Sequence, residues 1–154
     1  MISILKNIIE QTKMRNMSDA ASKFVFQHQK LTRPKLLNEI ANHITQRRSV
    51  VVLYIDLVKF SEIEQNCGNV LSKKILDHFK STLHSEMPRL LWNLRILAVE
   101  NLWGDDYVVV FSADRKPHSS VLHNLALSCR LALKESLGRD LQQLGIKPLE
   151  IHVG

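Results

Sequence analysis

Residues 49–56 read Ser-Val-Val-Val-Leu-Tyr-Ile-Asp, an apolar and β-branched run that ends in a carboxylate. Runs of this length and composition are typical of buried strands. The sequence therefore predicts a central β-strand with Asp56 at its carboxyl end.

A helix and a hairpin are predicted after this strand. Gly68 precedes a stretch in which apolar residues recur every three or four positions, and we expect that helix to end before Pro88. Strands are predicted at 95–102 and 107–112, and the four residues Trp103-Gly104-Asp105-Asp106 join them. This pattern is typical of a hairpin with an acidic tip.

The remaining elements complete an α+β pattern. A further helix is predicted from Leu122 to about Gly138, and a last strand at 149–153. With the two helices predicted before the central strand, the predicted order is helix, helix, strand, helix, hairpin, helix, strand.

The segment before the central strand predicts a leading helix with one narrow apolar stripe, formed by Met14, Met17, Ala21, Phe24, His28 and Leu31. This stripe can pack on the domain, or it can pair with a second copy as a short coiled coil. Methionine and histidine in this stripe stabilise a coiled coil less well than Leu and Ile, so we expect at most a weak homodimer. A second helix is predicted from Thr32, with Pro34 in its first turn.

The net charge of +6 lies entirely in the first third of the chain. Residues 1–48 hold nine Lys and Arg against three Asp and Glu, whereas residues 49–154 hold twelve of each sign. A basic helix exposed to solvent explains the positive charge of residues 1–48, so nucleic-acid binding is not expected. Contact with nucleic acid or an anionic membrane surface is the alternative.

Two cysteines and the absence of a signal-like or membrane-spanning run predict a cytoplasmic protein.

Three carboxylates are predicted to meet at one edge of the sheet. If the hairpin flanks the central strand, Asp105 and Asp106 lie near Asp56. Carboxylates that share a site suit Mg²⁺ with a nucleotide phosphate. The alternative is that Asp56 caps a helix and that the Asp pair only makes a turn.

The run Leu53-Tyr54-Ile55-Asp56-Leu57-Val58-Lys59-Phe60, and the later Leu102-Trp103-Gly104-Asp105-Asp106-Tyr107, resemble the GGDEF family of diguanylate cyclases. The chain has WGDDY where the family has GGDEF. The resemblance covers residues 31–154 and implies an α+β fold like the nucleotide cyclase palm, with a mostly antiparallel central sheet flanked by helices. Residues 1–30 would then form an N-terminal signalling or linker helix. Active members condense two GTP molecules to cyclic di-GMP with two Mg²⁺ ions.

The metal-binding half of the family's site is retained in this chain. By the resemblance, Asp56 and Asp105 are metal ligands, and Asp105 is the catalytic carboxylate if the domain is active. The modest changes are Asp106 in place of Glu and Tyr107 in place of Phe.

The nucleotide-binding half departs from the family. Trp103 replaces the first motif glycine, although Gly104 keeps the second. Glu64 stands where the family has a guanine-reading Asn, and Lys73 where it has an Asp. An ammonium group has no acceptor for the N–H donors of guanine, so Lys73 is expected to reject guanine.

Other departures also indicate a degenerate domain. Leu94 and Leu97 stand where the family has the Arg and Asp of its product site, and the family continues past the strand in which Gly154 lies. We therefore expect a domain without its C-terminal part, catalytically inactive, that regulates cyclic di-GMP-type signalling in bacteria. The expected partner is another domain of a larger signalling protein, such as a phosphodiesterase. Weak metal-dependent nucleotide chemistry, either cyclase activity or hydrolysis, is the alternative.

Overall fold

The computed structural model describes residues 10–15, 38, 41–42, 46, 49–101, 104–113 and 115–154. Its elements in chain order are β1 (Ser49–Leu57), α1 (Phe60–Leu90), β2 (Arg95–Asn101), β3 (Asp106–Ala113), α2 (Ser119–Gln143) and β4 (Ile151–Val153). The four strands form one antiparallel sheet in the order β2-β3-β1-β4. This is the split βαβ arrangement, and it confirms the predicted α+β fold.

β1 lies inside the sheet, as its composition predicts. It pairs with β3 from Ser49 opposite Ala113 to Asp56 opposite Asp106. On its other side it pairs with β4 near its carboxyl end, where the backbone groups of Tyr54 and Gly154 exchange two hydrogen bonds of 2.7 and 3.0 Å. The carboxyl end of β1 is therefore enclosed between two strands.

One core covers one face of the sheet. Leu53, Ile55 and Leu57 alternate along β1 and are buried against both helices, which contribute Phe79 from α1 and Leu133 from α2. Side chains of successive strand residues point to opposite faces. The even-numbered residues of β1, Asp56 among them, therefore lie on the face away from this core.

Both helices extend beyond their predicted boundaries. α1 begins at Phe60, before Gly68, where the backbone kinks at φ 74° and ψ 166°, and Pro88 lies within its last turn. α2 passes through Gly138 because the apolar stripe continues to buried Leu141. It ends where Gly145 takes a φ of 70°, which glycine adopts without steric cost.

Of the leading segment, residues 10–15 are helical. The Lys13 Nζ lies 6.0 Å from the centre of the Trp92 ring, while Met14 is 68% exposed. The rest of the predicted stripe and the boundary between residues 30 and 31 lie outside the described residues. No helix in the described part of the chain is long and apolar enough to span a membrane.

Replacing Thr82 by Val is expected to stabilise the protein by about 1 kcal/mol. Thr82 is buried in α1, and its Oγ1 has no hydrogen-bond partner in the described structure. A buried hydroxyl without a partner costs roughly 1–3 kcal/mol in proteins, and Val has the same shape. Urea denaturation measures the gain. Thr82→Ser, which keeps the hydroxyl and loses a methyl, is the control, and a destabilised Thr82→Val would contradict this account.

Candidate functional site

The register of the sheet brings the predicted carboxylates to the end of β1. Asp56 lies directly opposite Asp106 of β3, and the Leu57 N–H donates to the backbone oxygen of Asp105 at 3.1 Å. Asp106 is therefore the first residue of β3, not part of the hairpin tip as the sequence predicted. The convergence of the three residues at one edge is as predicted.

Asp106 is held by Tyr54. The Tyr54 hydroxyl donates to the Asp106 Oδ2 at 3.1 Å, and the Asp106 side chain is buried. Burial, followed by the negative charge of Asp106, raises the pKa of Tyr54 to about 12. The phenol therefore stays a donor at neutral pH, and one oxygen of Asp106 is occupied within the protein.

Asp56 and Asp105 form a pair of half-buried carboxylates that repel each other. Burial raises the pKa of Asp56 above its ordinary value, and the charges of Asp105 and Asp106 raise it further. Burial also raises the pKa of Asp105, with smaller increases from Asp106 and Glu64, while its own backbone N–H opposes the shift. Negative charge is thus concentrated at this edge without full compensation, an arrangement that favours a cation.

His152 was not identified from the sequence. It lies opposite Asp56 in β4, and its positive form lowers the pKa of that carboxyl. The ring centres of Tyr54 and His152 are 6.5 Å apart. The alternation of side chains along β1 could have identified Tyr54, which shares a face with Asp56, but His152 reaches the site only through the pairing of β4.

The residues predicted for the nucleotide site differ in their relation to the carboxylates. Glu64, near the start of α1, lies close enough for its charge to act on Asp105. Lys73 lies beyond the kink of α1 and is exposed. Gly104 has a φ of 103°, a conformation that favours glycine. Trp103 lies outside the described residues.

The carboxylate pair, Asp56 and Asp105, fits a cation such as Mg²⁺ whose remaining ligands are water and substrate oxygens. Mg²⁺ is usually bound through one or two carboxylates, with water and substrate phosphates completing its shell. Among the described residues, no group of three or more His, Cys, Asp or Glu side chains could hold a metal ion. The described residues therefore do not form a site in which the protein supplies most of the ligands. They are compatible with an open site that has two carboxylate ligands.

Asp56→Asn is expected to raise the stability of the cation-free protein at neutral pH by roughly 0.5–1 kcal/mol, a small gain because solvent screens a half-exposed carboxyl. The raised pKa of Asp56 means that the folded protein holds this proton more tightly than the unfolded chain. The stability of the original protein therefore falls as pH rises from about the ordinary pKa through the raised one. The gain from Asp56→Asn should vanish at pH 3.

Thermal melts from pH 3 to 8 in a chelator measure this effect. Asp77→Asn, at an exposed position in α1, is the matched control and should change little. A loss of stability in Asp56→Asn at neutral pH would show that the carboxylate is a structural group.

Comparisons with known proteins identify no family for the chain. No protein-family model matches it, and no curated protein matches it. Among solved structures, it is similar to the guanylyl cyclase Cya2, at 22% identity and a TM-score of 0.48, over 70% of this chain and 53% of that one. The adenylyl cyclase CyaB from P. aeruginosa is similar at 21% identity and a TM-score of 0.48, over 70% of this chain and 54% of that one.

The chain thus spans about half the length of these two structures. Both structures are named as nucleotide cyclases. The assignment to the GGDEF family itself stays a prediction.

Proposed function

We propose that this chain is a degenerate GGDEF-type domain that binds a divalent cation at Asp56 and Asp105, turns over little or no GTP, and regulates a signalling protein of the cyclic di-GMP type. Its partner in this proposal is another domain of that protein, such as a phosphodiesterase. The observation that carries the proposal is the additional negative charge of Glu64 beside an intact pair of carboxylates.

The cation-binding part rests on the paired carboxylates. The charges of Asp105 and Asp106 raise the pKa of Asp56, and those of Asp106 and Glu64 raise the pKa of Asp105, in each case in addition to the larger effect of burial. A divalent cation relieves that repulsion, so it binds the folded state and stabilises it by mass action. A domain whose only task is packing gains nothing from carboxylates that repel one another.

The loss of turnover rests on the charge around that pair. GTP carries its own negative charge on the phosphates, and Glu64 adds another where the family has a neutral amide. These like charges repel each other, and solvent only partly screens the repulsion at the half-buried carboxylates. Lys73 adds the second defect because its ammonium group offers guanine no acceptor.

The decisive experiment is a turnover assay with GTP and Mg²⁺ or Mn²⁺, followed by chromatography for cyclic di-GMP. No product above that of Asp105→Ala is expected, because the nucleotide half of the site is altered. Thermal melts in the same buffers should show a higher melting temperature with Mg²⁺ for the original protein and none of that increase for Asp105→Ala. Robust product formation that Asp105→Ala abolishes would refute the proposed lack of turnover.

Slow metal-dependent chemistry on a nucleotide other than GTP is the second candidate. The observation that favours it is the hydrogen bond from Tyr54 to Asp106, which keeps a third carboxylate fixed beside the pair. Calorimetric titration of ATP and GTP in the presence of Mg²⁺ separates the candidates. ATP binding accompanied by release of phosphate would support an enzyme, and no binding of either at millimolar concentration would exclude it.

A further inference from the structure

Positive charge is concentrated at the end of the sheet where β1 begins, beside the last residue of β3. Arg95, the first residue of β2, lies opposite Ser112 of β3 at this same end. The chain that leaves β3 there carries Arg115 and Lys116 before α2 begins. Neighbouring strands are about 4.8 Å apart and an extended chain rises about 3.3 Å per residue, so the backbones of these three cations lie within roughly 20 Å of one another.

The leading segment adds two cations at this end of the sheet. The Lys13 Nζ lies 6.0 Å from the centre of the Trp92 ring, and Trp92 lies three residues before Arg95. Residues 10–15 are helical, so Arg15 lies within one turn of Lys13. We call these five residues the basic end: Lys13, Arg15, Arg95, Arg115 and Lys116.

The charges of the basic end are not neutralised by the part of the chain that the structure describes. Four of the five side chains are exposed, and that of Lys13 is half-buried beside Trp92. No ion pair joins any of the five to another described residue. In the sequence, the stretches 10–15, 92–95 and 113–118 contain only two acidic residues, Glu10 and Asp114. A positive excess is therefore exposed to solvent at this end.

An exposed apolar side chain lies between two of these cations. Met14 is 68% exposed, and Lys13 and Arg15 flank it in the helix. A flexible apolar side chain among cations is typical of helices that lie in a membrane–water interface, where the cations bind anionic headgroups. Single-stranded nucleic acid uses cations as well, but it adds aromatic rings on which bases stack, and Trp92 is half-buried with Lys13 against its ring. The combination therefore favours an anionic membrane surface.

We propose that the basic end binds the anionic surface of a membrane, with its five cations at the lipid headgroups and Met14 inserted at the interface. The proposal is independent of any cation or nucleotide at the carboxylates, which lie at the other end of β1. From Ser49 to Asp56 the strand spans roughly 23 Å. That separation exceeds the Debye length of about 8 Å at physiological ionic strength, so repulsion between the carboxylates and the membrane is screened. The domain is thus oriented with its carboxylates away from the lipid.

Co-sedimentation of the whole chain with lipid vesicles tests the proposal. Vesicles of phosphatidylcholine with about 30% phosphatidylserine should bind the protein, and pure phosphatidylcholine vesicles should bind it weakly, because the cations need an anionic surface. Binding should be lost as NaCl rises from about 0.05 to 0.5 M, which screens that attraction. Arg115→Gln with Lys116→Gln should weaken binding at least ~10-fold, since each cation near such a surface contributes roughly 5-fold.

Lys74→Gln with Lys147→Gln is the matched control, because it removes the same charge from exposed positions outside the basic end. This control should change the affinity for vesicles by less than about 2-fold. Equal losses in the two charge variants, or equal binding to both kinds of vesicle, would overturn the proposal.

Met14→Gln separates a membrane from nucleic acid. It should weaken binding to the phosphatidylserine vesicles, because a polar side chain gains nothing from the interface, and it should not change binding of a single-stranded oligonucleotide. An oligonucleotide that binds more tightly than the vesicles, with no effect of Met14→Gln on either, would overturn the membrane and identify nucleic acid as the partner of the basic end.

Discussion

A variant that carries Glu64→Asn, Lys73→Asp and Trp103→Gly is expected to bind GTP with Mg²⁺ about 100-fold more tightly than the original chain. Lys73→Asp supplies an acceptor where the family reads guanine, and Glu64→Asn keeps an acceptor while it removes the negative charge that acts on Asp105. A hydrogen bond to a charged group contributes roughly 1.5–3 kcal/mol, and about 3 kcal/mol in total corresponds to ~100-fold in affinity. The third change removes the indole from a motif position of glycine.

Calorimetric titration with GTP measures this gain, and ATP is the control for base recognition. ATP should gain less affinity than GTP, because the acceptor introduced by Lys73→Asp matches the N–H donors of guanine, whereas removal of the Glu64 charge and of the indole acts on both nucleotides. A second control variant, Glu62→Asn with Lys74→Asp, changes the same charges at exposed positions of the same helix. A gain of equal size in that variant would attribute the effect to overall charge. No gain in the triple variant would show that these positions do not form a nucleotide site.

Phe79→Ala is expected to destabilise the protein by about 3–5 kcal/mol, a large part of the total stability of a domain of this size. Phe79 is fully buried, and its ring meets the Tyr107 ring edge to face, with 5.9 Å between the ring centres. The loss combines the burial of an aromatic ring, a cavity and that ring contact. Tyr107 directly follows Asp106, so we also expect the affinity for Mg²⁺ to fall.

Urea denaturation measures the destabilisation. Phe79→Leu, which keeps most of the volume, should cost less than half as much. Val70→Ala, at a position 76% exposed in the same helix, should change stability by less than about 0.5 kcal/mol. A cost below about 1 kcal/mol for Phe79→Ala would mean that the core relaxes around the cavity.

Local patterns predicted the parts of the fold that are set by burial. The run at residues 49–56 has the composition of an inner strand, and the structure places it there as β1. The start of α1 was missed because most side chains of residues 60–67 are exposed, so no apolar stripe marks them. The end of α2 was placed too early because Gly138 resembles a stop signal, whereas buried Leu141 carries the apolar face onward.

Local sequence patterns likewise predicted only part of the candidate site. Asp56 and Asp105 could be identified because each lies within a short motif. The position of Asp106 in β3, opposite Asp56, depends on the register between two strands that are distant in the sequence. The position of His152 depends on pairing between β1 and β4, the first and last described strands in chain order. Such non-local pairing is set by packing of the whole domain, which a local pattern does not contain.

The position of β1 within the sheet has a consequence during synthesis. Both of its neighbours, β3 and β4, follow it in the chain, about 50 and 95 residues later. At roughly 5–20 residues per second, the ribosome leaves both edges of β1 unpaired for several seconds before β3 emerges. Its uncharged Val-rich run is the kind of segment that aggregates when exposed. Slow translation between residues 57 and 106, or a lack of chaperones that shield nascent chains, should therefore lower the yield of folded protein.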